Sequence, residues 1–189
     1  NYYASARTSY VKVRDEEKFK EWAATIPDSE VISKTTENET LYGFLFNDVV
    51  FREVVFEDVI FRGGFFINCR FERVAFYNVT LIDTVVSHGE FEAVLFQSSL
   101  LERGRLEHTE MRSVLLRGSE WRDSVLVQSE LRGVKWDGSR LSNVTLQKST
   151  MKAVVFQGLS TENVTLVNSR VEYVADGEDL DYTYLELRG

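Results

Sequence analysis

Nowhere in this 189-residue chain is there a run of apolar residues approaching the eighteen or so that a bilayer span needs, and there is one cysteine, one proline and two histidines. A lone Cys69 cannot form an intrachain disulfide and gives no information on redox compartment; it is expected to be a packed thiol. The opening Asn1-Tyr2-Tyr3 is not a signal peptide, and because the chain starts without Met it is expected to be a segment of a longer protein. No Ser/His/Asp or Cys/His set, glycine-rich phosphate loop or cleft with paired carboxylates can be assembled, so neither catalysis nor a cofactor or metal is expected. What is present is a 43% hydrophobic, 13% aromatic composition, enough for the continuous core of one domain. The net charge of -8 divides unevenly. Residues 1–60 sum to -5, residues 61–169 to +1 and residues 170–189 to -4.

From Phe46 to Val171 a large apolar residue returns every fifth position: Phe46, Phe51, Phe56, Phe61, Phe66, Phe71, Phe76, Leu81, Val86, Phe91 and onward through Trp121, Trp136 and Phe156, with only Thr161 polar. A period of five fits neither helix nor strand, so the unit must be a short segment plus a corner, repeated as a solenoid. Two positions before each centre sits a small or β-branched residue, such as Val49, Val54, Cys69, Gly89, Ser99 or Val164. Large and small residues, both inward, fill a narrow square tube. Two positions after each centre, Asp58, Gly63, Asn68, Asn78, Gly118, Asn143 and Asn163 supply corners. Four pentads close one coil, and the whole array is expected to stack into a shaft roughly 30 Å tall.

The pattern predicts an all-β chain, a quadrilateral parallel β-helix with a short N-terminal capping helix. Its parts are an N-terminal segment and cap (1–45), the repeat shaft (46–175) and an acidic C-terminal extension (176–189). The cap is placed on 14–24, where acids fill the first turn, Phe19 and Trp22 share a face and Pro27 follows. With the N-terminal end covered, the C-terminal coil is the expected open edge.

Four Asn-X-Thr triplets, at Asn38, Asn78, Asn143 and Asn163, are candidate N-glycosylation sites. In the last three, Asn falls at a corner, Val inward and Thr outward. Asn143 and Asn163 fall on the same side one coil apart, where two glycans would crowd. His88 and His108, twenty residues apart, are expected to stack on one bare side. With no carboxylate or cysteine next to them in their column they are read as solvated rather than as a metal or pH site. The column Glu72, Glu92, Arg112, Arg132, Lys152 is expected to be a solvated charge ladder.

Pentads of this kind resemble those of pentapeptide-repeat proteins, whose fold is a right-handed quadrilateral β-helix. In the common bacterial form Asp or Asn precedes the central Leu. Here that position holds Val50, Val55, Ile60, Phe65 and Arg70, so the phase differs. The runs Phe56-Glu-Asp-Val-Ile, Phe66-Ile-Asn-Cys-Arg and Phe76-Tyr-Asn-Val-Thr resemble the large luminal loop of the synaptic vesicle glycoprotein 2 family, as does the opening Asn1-Tyr-Tyr-Ala-Ser-Ala-Arg-Thr. That resemblance implies a glycosylated, non-enzymatic luminal domain of a membrane-embedded, transporter-like vesicle protein. It also implies a receptor surface for clostridial neurotoxins, made of an open strand edge and a glycan that Asn163 with Thr165 best matches. The competing expectations are a cytosolic DNA-mimicking inhibitor of a topoisomerase, which the near-neutral shaft weakens, and a structural spacer.

Overall fold

The computed structural model describes residues 21, 24, 29–35, 40–171, 174–176 and 185–188, with side chains along the shaft described from 45 to 170. The helix expected over 14–24 lies outside the described residues except for Glu21 and Ala24, both helical and exposed.

A hairpin opens the fold, with β1 (Ser29–Thr35) antiparallel to β2 (Thr40–Asn47). From there the strands shorten to about three residues: β3 (Val50–Arg52), β4 (Val55–Glu57), β5 (Ile60–Arg62), β6 (Phe65–Ile67), and so on to β25 (Ser160–Glu162), β26 (Val164–Val167), β27 (Arg170–Val171) and β28 (Val174–Asp176). From β2 to β24 each pairs in parallel with the strand twenty residues further on, Phe46 with Phe66, Phe51 with Phe71, Phe56 with Phe76 and Phe61 with Leu81. Four sheets of nine, seven, seven and six strands form the sides of the tube and are named here by their first centre residue, Phe46, Phe51, Phe56 and Phe61.

The corners explain why three residues suffice for a strand. Every residue two past a centre, from Asp48 to Asn168, has φ between 47° and 65°. Asn, Asp and Gly adopt that left-handed conformation at little cost, but Glu53, Arg73, Ala93, Lys148 and Ala153 adopt it too. What compensates, at the corners from Asp48 to Lys148, is a hydrogen bond: Asp48 N–H donates to Ile67 O at 3.0 Å, Ala93 N–H to Arg112 O at 3.1 Å, Lys148 N–H to Val167 O at 2.8 Å.

Inside, the Phe rings stack along the shaft. Phe51, Phe71 and Phe91 lie with centroids 5.0 and 4.5 Å apart, and Phe56, Phe76 and Phe96 5.1 and 4.6 Å apart. Neighbouring sides meet edge-on, as at Phe46–Phe51, 5.3 Å and 87°. Such pairs contribute about 0.5–1.5 kcal/mol each beyond burial. Where Leu81 and Val86 replace Phe the tube is underfilled, leaving an apolar cavity of about 30 Å³.

The small column divides by side. Before the Phe56 sheet it is all valine, from Val54 to Val154. Elsewhere buried hydroxyls take over. Ser119 Oγ accepts from Ser99 N–H (3.1 Å) and donates to Phe96 O (3.0 Å), and Ser129 and Ser149 repeat the arrangement. Each hydroxyl gives the coil below an acceptor that valine cannot offer.

The C-terminal end differs from expectation. Within the segment assigned to an extension, β29 (Leu185–Arg188) pairs in parallel with β26, Leu187 opposite Leu166, at an offset of twenty-one residues rather than twenty. The Phe46 sheet is thus prolonged past 176, and its last shaft strand is not the open edge expected there.

Because Ala153 holds φ 50° and Gly158 φ 60°, with no atom closer than 3.8 Å to a Cβ built on Gly158, conformation alone decides substitutions there. Ala153→Gly is expected to stabilise the shaft by about 0.5–1 kcal/mol and Gly158→Ala to destabilise it by about 1 kcal/mol, read from denaturant unfolding midpoints.

Candidate functional site

The tube is filled, and its 30 Å³ cavity is far below the volume of a ligand pocket, which directs attention to the outer surface. The side formed by the Phe51 sheet is the charged one. Its expected column is present in register, Glu72 beside Glu92, then Arg112, Arg132 and Lys152. The side formed by the Phe46 sheet is the apolar one, presenting Phe65, Ile67, Val85, Val125 and Val127, while its Arg105 and Glu107 pair with each other. Around the first coil, Val50, Val55 and Ile60 are 55%, 60% and 40% exposed.

Charge is also graded along the axis, which the regional sums concealed. Residues 45–111 carry 11 acids against 6 bases, and residues 112–170 carry 5 acids against 9 bases. Most acids of the first half are engaged by arginines, commonly one coil away: Glu72 with Arg52 at 2.6 Å, Glu53 with Arg73 at 2.9 Å, Asp83 with Arg103 at 2.7 Å, Glu90 with Arg70 at 2.7 Å and Glu102 with Arg122 at 2.7 Å. Hydrogen bonds from Arg52, Arg103 and Arg122 hold Glu72, Asp83 and Glu102 below the ordinary carboxylate range. The resulting stabilisation is present at neutral pH and lost as pH falls through those lowered values, and exposure keeps it small.

The sequon residues fall where the pattern places them. Asn78, Asn143 and Asn163 are exposed at left-handed corners, Val79, Val144 and Val164 are each 1% exposed, and Thr80, Thr145 and Thr165 are half-buried on outward strand positions. Asn78 lies on the corner between the Phe56 and Phe61 sheets, and Asn143 and Asn163 on the next corner, between the Phe61 and Phe46 sheets. Asn38 lies outside the described residues. The pattern did not reveal that these amides are already bonded. Asn78 Nδ2 donates to Asp58 Oδ1 at 2.7 Å, Asn143 Nδ2 to Asp123 Oδ1 at 2.8 Å, and Asn163 Nδ2 to Asn143 Oδ1 at 3.0 Å. The signal was readable, since Asp or Asn stands twenty residues before each.

His88 and His108 stack as expected, centroids 4.8 Å apart at 14°, with Ser87 Oγ 3.0 Å from His88 Nδ1. Among the described residues no three His, Cys, Asp or Glu side chains group as a metal site.

Four parallel sheets, a twenty-residue register and an inward centre in every pentad decide the architecture. The chain has the pentapeptide-repeat fold. No protein-family model and no curated protein matches the chain. Solved pentapeptide-repeat structures similar to it include Rfr23 from the cyanobacterium Cyanothece 51142, at 14% identity and TM-score 0.44, covering 52% of this chain and 64% of that one. Another is a trypsin-treated form of QnrB1, a plasmid-mediated fluoroquinolone resistance protein, at 14% identity and TM-score 0.46, covering 76% of this chain and 84% of that one. A third, HetL from the cyanobacterium Nostoc, involved in heterocyst differentiation regulation, aligns at 13% identity and TM-score 0.24, over 67% of this chain and 73% of its own. Likeness this distant carries nothing about activity, and the pentapeptide-repeat assignment stands on this chain's own register.

Cys69 occupies a hydroxyl position of the small column: its Sγ lies 3.4 Å from Phe46 O and from Ile67 O, as Ser119 contacts Phe96 O and Arg117 O. Burial pushes its pKa up to about 11. The thiol is therefore expected to resist maleimide at pH 7.5 in the folded protein and to react fully once denaturant opens the tube; rapid labelling without denaturant would contradict this packing.

Proposed function

We propose that the shaft is a non-enzymatic interaction module displayed in a secretory lumen or outside the cell, N-glycosylated at its corners and carried by a membrane-embedded parent. The observation that carries this reading is the presentation of three sequons: the acceptor Asn exposed at a rigid corner, the middle Val inside, the Thr outward. Support also comes from the filled tube, which leaves only the outer surface for binding. A protein partner that adds a strand would find β25, the terminal strand of its sheet among the described residues, immediately before Asn163. A clostridial neurotoxin receptor-binding domain is the partner that the family resemblance suggests for that combination of edge and glycan.

A second reading, a DNA-mimicking inhibitor of a topoisomerase, draws on the acid excess of residues 45–111. Against it, a mimic needs uncompensated charge at each step of the duplex, and here arginines neutralise much of that acid.

The deciding experiment is the intact mass of the protein from its native cells before and after enzymatic removal of N-glycans. A mass loss mapping to Asn78, Asn143 or Asn163 is expected. An unchanged mass would defeat the luminal reading and make inhibition of topoisomerase supercoiling the next assay.

A further inference from the structure

Asn143 and Asn163 stand at the same corner of consecutive coils, and their side chains touch. Asn163 Nδ2 donates to Asn143 Oδ1 at 3.0 Å, and Asn143 Nδ2 continues the chain of bonds to Asp123 Oδ1 at 2.8 Å. Both corners are left-handed, φ 53° and 51°, and the residues that follow, Val144 and Val164, are fixed inside the tube. The backbone therefore holds the two asparagines one coil apart however their side chains rotate. Asn78 is placed differently: one coil below it is Asp58, which accepts its hydrogen bond, and one coil above is Ser98. Among the described residues no second acceptor asparagine shares its column.

Building on the secretory-lumen reading, we propose that Asn143 and Asn163 form a single glycosylation site with two alternative acceptors, so that a folded molecule carries an N-glycan on one of them and never on both. In the transfer, the bond between sugar C1 and the phosphate oxygen of a lipid pyrophosphate-linked oligosaccharide breaks. C1 joins Nδ2, one Nδ2 proton leaves, and the lipid pyrophosphate departs. The modified nitrogen keeps one N–H, so a single glycan leaves the ladder Asp123, Asn143, Asn163 intact.

Two glycans would depart from side chains whose backbones stand one coil, about 4.8 Å, apart on the same outer face. The first sugars, bulky and growing outward, would claim the same volume. The conflict is steric rather than one of hydrogen bonding, since each modified nitrogen keeps an N–H; relieving it would mean splaying a corner whose N–H, that of Asn143, is bonded to Glu162 O at 2.8 Å. Thr145 and Thr165 pair in register across the sheet and the valines point inward, so the transferase meets these triplets before the coils close. Exclusivity is then imposed at folding, which doubly modified chains do not complete.

Glycopeptide mapping of the folded protein secreted from a glycosylating cell tests this. Cleavage after Arg140, Lys148, Lys152 and Arg170 places the two acceptors on separate peptides. The two occupancies are expected to sum to no more than one glycan per molecule. Thr165→Val, which removes one acceptor and keeps a β-branched outward residue, should raise occupancy at Asn143, and Thr145→Val should do the converse. A sum approaching two, with neither variant affecting the other site, overturns the proposal while leaving the luminal reading in place. A glycan at Asn78 with both members of the pair bare overturns it as well. No glycan at any of the sequons, Asn78 included, removes the luminal reading and the proposal with it.

Discussion

The hydrogen bonds between successive coils are the constraint on which the rest depends. They require every coil to close in the same number of residues, because a one-residue slip would turn each inward side chain outward. Twenty residues on four sides leave three for each strand and two for each corner. A turn that tight requires one residue with positive φ, hence the unbroken series from Asp48 to Asn168. Glu53, Arg73, Ala93, Arg103 and Lys148 in that series show that register outranks local preference: a corner that costs about 1–2 kcal/mol for an ordinary L-residue is tolerated because its N–H is bonded to the coil above.

The same constraint turns the interior into columns, since whatever side chain one coil places inside is met one coil later by another in the same orientation. Phe meets Phe at stacking distance, valine meets valine, and serine bonds to the backbone around the next serine. Columns need consistency more than a particular residue. Cys69 fits a hydroxyl column because its Sγ reaches the two carbonyls that a serine would, and the Phe stacks give way after the third coil to Leu, Met and Trp. The cost of departing from the columns is visible at two places: the void beside Leu81 and Val86, and the buried Trp136 Nε1, which has no hydrogen-bond partner.

That consistency is why the fold was legible from residues alone. A five-residue period, an inward pair and a corner former fixed the side facing of nearly every residue from 46 to 171, the stacking of His88 on His108 and the solvent exposure of three sequon asparagines. The serine ladders were equally written in the spacing of Ser99, Ser119 and Ser139, but a residue read only as small hides its hydroxyl. The register of the C-terminal strand was not legible, although 180–187 reads as an extended segment. One extra residue moves Leu187 to an offset of twenty-one from Leu166, and a pattern search keyed to multiples of five loses the phase there, although the backbone absorbs the insertion. Side-chain contacts between coils, such as Arg52 with Glu72 or Asn163 with Asn143, become readable only once the sequence is rewritten in rows of twenty.

A tube so fully determined inside leaves its function to residues the fold does not require, and these separate the candidate roles. A charge mimic would be expected to keep acids in uninterrupted columns. Here Glu72 and Glu92 give way to Arg112, Arg132 and Lys152 in the same column, and arginines reach across coils to the acids that remain. Asparagine and aspartate at corners are explained by backbone geometry alone. Threonine two residues later is not, because the outward strand position accepts Arg70, Glu90, Leu100 and Lys135 equally well. Asn at the corner and Thr on the strand coincide at Asn78, Asn143 and Asn163; the corner does not require that pairing, although β-branched Thr suits a strand position on its own account.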